Sequence, residues 1–264
     1  MRTKRRIVQS IESERSVRGG RELHLTYRVA DDHAVPAILM LPDARNPVGG
    51  AVLVHGYSSR KEAVAGPVGK ALLAAGLASL ALDLPLHGTR ADPIQKQSMR
   101  DPLAIVRLWK QALADVRLGL RYLGARPEVD AERLALLGYS MGSFLSIVVA
   151  ADDPAVRAVV LAAGGDLPEG TPFSALARMV ADPLRAVQKL EGRPLLMVHG
   201  KRDRTVTPAQ ARRLFEAARE PKELHWYDAG HHLPAAAGAE VARWLHARLT
   251  SGAPPRQDSR DRSP

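Results

Sequence analysis

The sequence predicts an α/β protein with a mostly parallel central sheet, an antiparallel start and helices on both faces. Three observations point to it. From residue 51 onward, short apolar runs alternate with longer stretches of helical periodicity, as a parallel sheet with crossover helices requires. Ahead of that point, polar and apolar residues alternate in segments joined by tight turns, the pattern of antiparallel strands. Within the parallel part, residues 134–142 run from an apolar strand through Gly138-Tyr139-Ser140-Met141-Gly142 directly into a helix-like stretch, 143–151.

Taken in order, residues 7–17 alternate moderately and are closed by Gly19-Gly20. Residues 22–30 alternate more clearly through Leu23, Leu25, Tyr27 and Val29, and after the turn-like Asp31-Asp32-His33 a third strand is predicted over 35–41. Residues 46–50, rich in Gly and Pro, are expected as a loop before a short strand at 51–55. A helix follows over 61–75 with Gly76 just past its end, then a strand over 77–84 and a long helix over 102–123. Beyond the Ser140 turn come strands at 156–162 and 194–199, a helix at 208–218, a strand at 223–227 and a closing helix at 235–249. The connection across 166–192 is longer than a usual crossover; it holds predicted helices at 173–180 and 183–190, a plain crossover accounts for most of it, and a small lid is the alternative left open. Residues 1–250 form one domain on this reading, and 251–264, with Pro254-Pro255 and mixed charges, a disordered tail.

Composition narrows the classes. Apolar residues make up 45% of the 264 positions, ordinary for a globular protein with a sizeable core. There is no cysteine, so disulfides and Cys-based metal sites are excluded, which fits a reducing compartment. The basic start, Met1-Arg2-Thr3-Lys4-Arg5-Arg6, is followed by mixed polar residues rather than the apolar core of a signal peptide, and no 18-residue apolar run occurs. A cytoplasmic protein without a membrane span is expected. The net charge of +10 raises the question of nucleic acid. The arginines, however, are spread along the chain with no aromatic-interleaved basic motif, as on a solvated surface.

The chemistry centres on Ser140. A serine in a G-x-S-x-G turn between strand and helix is held in a strained backbone that pushes its hydroxyl outward, and the flanking glycines keep side chains off the neighbouring strand and helix. Serine is a weak nucleophile at neutral pH and needs a base, which needs an orienting acid. Both lie downstream at strand ends: Asp203 after the strand at 194–199, and His231 after that at 223–227. Loops beyond the carboxyl ends of parallel strands gather on one edge of a sheet, where Ser140, Asp203 and His231 can meet. Alternatives stand beside these. Asp203 has a turn or helix-capping role open to it, His232 is a rival base, and Asp228 is too near His231 in sequence to be preferred. His55, His87 and His199 read as structural.

Over residues 22–249 the chain resembles the α/β-hydrolase family. The resemblance is carried by His55-Gly56-Tyr57, by residues 83–88 (Asp-Leu-Pro-Leu-His-Gly), by residues 138–142, and by Asp203 with Gly230-His231. It implies an α/β-hydrolase fold, Ser140 as nucleophile, His231 rather than His232 as base, Asp203 as its partner, and the backbone N–H groups of Tyr57 and Met141 as the oxyanion hole. The antiparallel start and the 83–88 loop look most like the dienelactone-hydrolase and prolyl-oligopeptidase-like branch, although the chain has no room for a propeller. Two departures bear on specificity. Ser143 stands where many members carry glycine, and His55-Gly56-Tyr57-Ser58-Ser59 replaces the glycine-rich oxyanion loop of some lipases. The expected function is hydrolysis of small to medium carboxylic esters through an acyl-enzyme, with no metal or organic cofactor. A thioesterase or small amidase would use the same residues, and a non-catalytic binding module the same fold. The oligomeric state is left open.

Overall fold

In a computed structural model the described residues are 6–29, 33–92, 101–168, 178 and 181–250. The expected helix at 173–180, apart from Arg178, and the tail at 251–264 fall outside these, so residues 169–177 and 179–180 of the connection across 166–192 are outside as well.

Among the described residues nine strands form one sheet: β1 (Ile7–Val17), β2 (Gly20–Val29), β3 (Val35–Pro42), β4 (Val48–Val54), β5 (Ala78–Leu82), β6 (Val129–Tyr139), β7 (Val156–Ala162), β8 (Leu195–Gly200) and β9 (Lys222–Tyr227). Their order across the sheet is β1-β2-β3-β5-β4-β6-β7-β8-β9. The pairs β1/β2, β2/β3 and β3/β5 are antiparallel, and every pair from β5/β4 to β8/β9 is parallel. The expected antiparallel start and parallel remainder are both present. Two short helices, α1 (Lys61–Val64) and α2 (Lys70–Ala74), are followed by α3 (Pro102–Gly124), α4 (Met141–Asp152), α5 (Pro183–Gln188), α6 (Pro208–Ala217) and α7 (Ala235–Thr250).

The inner parallel strands are buried on both faces and therefore read as continuous apolar runs, with successive side chains entering opposite layers. Val52, Val54, Leu134 and Leu136 pack in one layer with α3, α4, α5 and α6; Ala51, Leu53, Ala135 and Leu137 pack in the other with α1, α2 and α7. Asp101 caps α3 through both carboxylate oxygens, and Thr207 with Gln210 forms a capping box on α6.

Local differences from the predicted boundaries have physical causes. The expected loop at 46–50 is largely strand, since β4 begins at Val48. Gly49 and Gly50 are strand residues because the helices press so close that a methyl on Gly49 would meet Leu249 Cβ at 2.9 Å and one on Gly50 would meet Leu123 at 3.1 Å. The single helix expected at 61–75 is divided by a π-helical segment, Ala65–Gly69. Pro67 lies within it and brings no N–H to the regular ladder.

Position in the sheet decides where a site can form. From β4 the chain moves outward to β5, whereas from β6 it moves the other way to β7. Connections leaving two adjacent strands in opposite directions open a crevice at the strands' carboxyl ends. The loop after β4 and the turn after β6 border that crevice.

Candidate active site

Ser140 sits between β6 and α4 with φ 51° and ψ −116°, a backbone conformation a non-glycine residue adopts only under constraint. Ser140 N donates to Ala162 O at 2.8 Å, which ties the turn to β7. Both flanking glycines are sterically required. A methyl on Gly138 would fall 2.2 Å from Gly142 O, and one on Gly142 would fall 2.1 Å from Val54 O. Ser143 fits because its hydroxyl donates to backbone carbonyls, Gly138 O at 2.8 Å and Ala162 O at 3.1 Å. It also fits because the facing residue is Gly164, where a methyl would meet Ser143 Oγ at 2.6 Å.

The structure brings the three side chains expected to meet into one hydrogen-bonded line. His231 Nε2 is 2.9 Å from Ser140 Oγ, and His231 Nδ1 is 2.8 Å from Asp203 Oδ2. A carboxylate only accepts, so Nδ1 carries the proton and Nε2 is left to accept from the serine hydroxyl. Asp203 is buried, and its other oxygen, Oδ1, accepts from Thr205 N at 2.8 Å and Val206 N at 3.1 Å. The turn role and the histidine-orienting position are thus both filled, one by each oxygen, while the cap of α6 falls to Thr207. Of the remaining candidates, His232 and Asp228 lie apart from this line, and His199 lies behind it with Nε2 3.6 Å from Asp203 Oδ2. His232 is exposed, its ring 6.0 Å from that of His231. Asp228 pairs with Arg202 at the surface. His199 is fully buried, donates from Nε2 to Val206 O at 2.9 Å, and is held by burial below the usual histidine pKa.

The loop after β4 lies against the serine: a methyl on Gly56 would come within 3.2 Å of Ser140 Cβ. Tyr57 follows it, and Met141 opens α4, whose first N–H groups have no partner within the helix. His55, fully buried, braces this loop. Its Nε2 accepts from Leu84 N at 3.1 Å, so Nδ1 bears the proton and donates to Gly56 O at 2.7 Å. Burial pushes its pKa down to about 4. The neighbouring loop after β5 is built on Asp83, also fully buried, which accepts from Lys61 Nζ at 2.8 Å, Lys61 N at 2.9 Å, Thr89 N at 3.0 Å and Thr89 Oγ1 at 2.9 Å. Burial alone would raise the Asp83 pKa; these donors, Lys61 first, bring it below the ordinary carboxylate value. His87 sits on this loop with Nδ1 2.7 Å from Pro85 O, its ring against that of Tyr57.

One residue here carried no signal in the sequence. The Tyr139 hydroxyl donates to the backbone carbonyl of His231 and accepts from Leu233 N at 3.1 Å, so the residue before the serine clamps the loop bearing the histidine. Burial raises its pKa, which keeps the donor proton in place. Position 139 is a free position of the G-x-S-x-G pattern, so only the fold reveals the contact.

A cavity of about 490 Å3 opens beside Ser140. Leu84 and Leu86 from the loop after β5, Trp109 and Ala112 from α3, and Phe144 from α4 line it, with Tyr57 at its wall.

A sequence model of the dienelactone hydrolase family matches residues 34–242, more than three quarters of the chain. The chain belongs to the dienelactone hydrolase family. This places it among hydrolases, and the matched region runs from just before β3 into α7, leaving β1 and β2 outside. Among curated relatives, YfhR of Salmonella typhi is 27% identical over 145 residues, 48% of this chain and 49% of that one. The chain therefore spans about half the length of such relatives. Among solved structures, a cold-adapted esterase from an Arctic intertidal metagenomic library superposes with a TM-score of 0.71 at 21% identity, covering 90% of this chain and 98% of that one. An acetyl xylan esterase from Paenibacillus sp. R4 gives a TM-score of 0.74 at 18% identity, covering 94% and 90%. At such identities the likeness is one of fold, and the fold of this dienelactone hydrolase family member is that of the α/β hydrolases. Among the described residues no helix is long and apolar enough to cross a membrane.

Proposed function

We propose that this member of the dienelactone hydrolase family is a serine hydrolase that cleaves small to medium carboxylic esters through an acyl-enzyme. The observation that carries the reading is the continuous line from Asp203 through His231 to a strained, cavity-facing Ser140. Ser140 Oγ attacks the ester carbonyl while His231 Nε2 takes its proton. The imidazolium that forms is stabilised by Asp203, and the proton is then returned to the departing alcohol. The negative charge that develops on the carbonyl oxygen is met by the backbone N–H groups of Met141 and Tyr57. Water, activated by the same histidine, releases the acid. Residues 1–250 act as one catalytic unit in this scheme. The esterases among the fold neighbours agree with this choice of substrate class without deciding it.

Hydrolysis of p-nitrophenyl butyrate by the wild type and by Ser140→Ala tests the reading. A loss of roughly a thousandfold or more in kcat is expected. The wild type is also expected to react with a fluorophosphonate at Ser140 alone. Undiminished turnover by the variant would overturn the assignment.

A further inference from the structure

We propose that the acyl group of the preferred ester is neutral, apolar and several carbons longer than acetyl, and that it fills the cavity beside Ser140. The inference rests on Ser140 being the nucleophile and extends that reading to the substrate. The first observation is size. At about 490 Å3 the cavity falls within the range, roughly 300–1,000 Å3, of pockets that enclose whole drug-sized ligands. An acetyl group would leave most of it as water against mostly apolar walls.

The second observation is the chemistry of those walls. Ile105, Leu108, Trp109 and Ala112 extend along successive turns of α3 and face Phe144 of α4 and Leu86 of the loop after β5. No Lys, Arg, Asp or Glu is among the described residues lining the cavity, although the chain carries 38 Lys and Arg. His87, Thr205 and Gln210 add polar atoms to the wall, but with no Lys or Arg among the described lining residues a carboxylate on the acyl chain would lose its water there without a fixed cation to replace it, at a large cost. A run of methylenes or an aromatic ring would replace water on both surfaces favourably.

The third observation separates the two sides of the ester. The leaving alcohol takes its proton from His231 Nε2 and so departs past that ring. His231 is not among the described residues lining the cavity, whereas Ser140, to which the acyl group is bonded, is. The cavity is therefore on the acyl side.

The test is kcat/KM for p-nitrophenyl acetate, butyrate, hexanoate and octanoate, with the singly charged p-nitrophenyl adipate as the anionic counterpart of hexanoate. Each added methylene is expected to raise kcat/KM by up to about fourfold until the cavity is full. Octanoate should exceed acetate by at least about tenfold, and hexanoate should exceed the adipate by a similar factor. Two variants fill the cavity from α3: Ala112→Phe from a buried position, and Leu108→Trp from a half-buried one that tolerates a larger side chain. Each should lower the octanoate-to-acetate ratio at least about tenfold. A flat or falling chain-length series in a wild type whose acetate hydrolysis depends on Ser140 would overturn the acyl pocket and leave the proposed function standing. So would a ratio unmoved by both variants. Failure of every ester together with failure of a fluorophosphonate to label Ser140 would instead overturn the proposed function, and the pocket assignment with it.

Discussion

The Tyr139 hydroxyl joins the serine turn to the histidine loop, 92 positions further along the chain. Tyr139→Phe retains the ring, which packs edge-on against the imidazole with centroids 5.9 Å apart, and removes the bonds to His231 O and Leu233 N. The histidine then keeps its partner Asp203 but loses its lateral restraint. A fall of about tenfold in kcat with KM changed less than twofold is expected, since on the proposed mechanism displacement of the base acts on the chemical step. Steady-state kinetics on p-nitrophenyl butyrate decides it, and an unchanged kcat would dismiss the clamp. Residue-scale legibility in the sequence was uneven for a physical reason. Ser140, Asp203 and His231 stand at strand ends marked by glycine or apolar runs, and such punctuation is local. The partnerships of Tyr139 with His231 and of Ser143 with Gly164 are long-range steric and hydrogen-bond relations with no local mark. Asp203 shows the opposite limit, because two readings competed for one side chain that has an oxygen for each.

At the scale of elements, the crevice is held open by two buried polar braces. Asp83 and Lys61 join the loop after β5 to the start of α1, and His55 joins the loops after β4 and β5. A histidine buried in its neutral form makes stability depend on pH. Above the unfolded value near 6.5 neither state binds the proton, and the brace contributes fully. As pH falls from 6.5 toward the folded value of about 4, the unfolded chain takes up a proton that the native site refuses, so stability is lost across that window. The loss amounts to about 3 kcal/mol. Burial lowers the His199 pKa as well, which adds in the same direction. Urea unfolding at pH 7, 6, 5 and 4 measures the slope. His55→Asn is expected to be less stable at pH 7 but shallower in its pH dependence, and an equal slope would assign the effect elsewhere. Element identities were largely legible from periodicity. The interruption of the helix at Pro67 and the early start of β4 were not, because in each case packing or a missing donor overrode the pattern.

For the whole molecule, the antiparallel beginning and parallel remainder followed from two hydrophobic periods, but the strand order did not. That β5 lies between β3 and β4, and β6 on the far side of β4, depends on pairings between distant segments, and it is this order that creates the crevice. The same order puts β9 at one end of the sheet, paired among the described residues with β8 alone, every residue of it half-buried. The proposed nucleophile follows the inner strand β6, while the histidine follows this outermost one. Outer strands exchange their amide hydrogens through local openings of lower free energy than global unfolding. Amides of β9 are therefore expected to exchange faster than those of β6. Hydrolytic activity should disappear at a lower urea concentration than the far-ultraviolet circular dichroism, and coincident transitions would show that β9 opens only with the whole sheet. The serine would then outlast its base, leaving a mostly folded protein that has lost its proton acceptor.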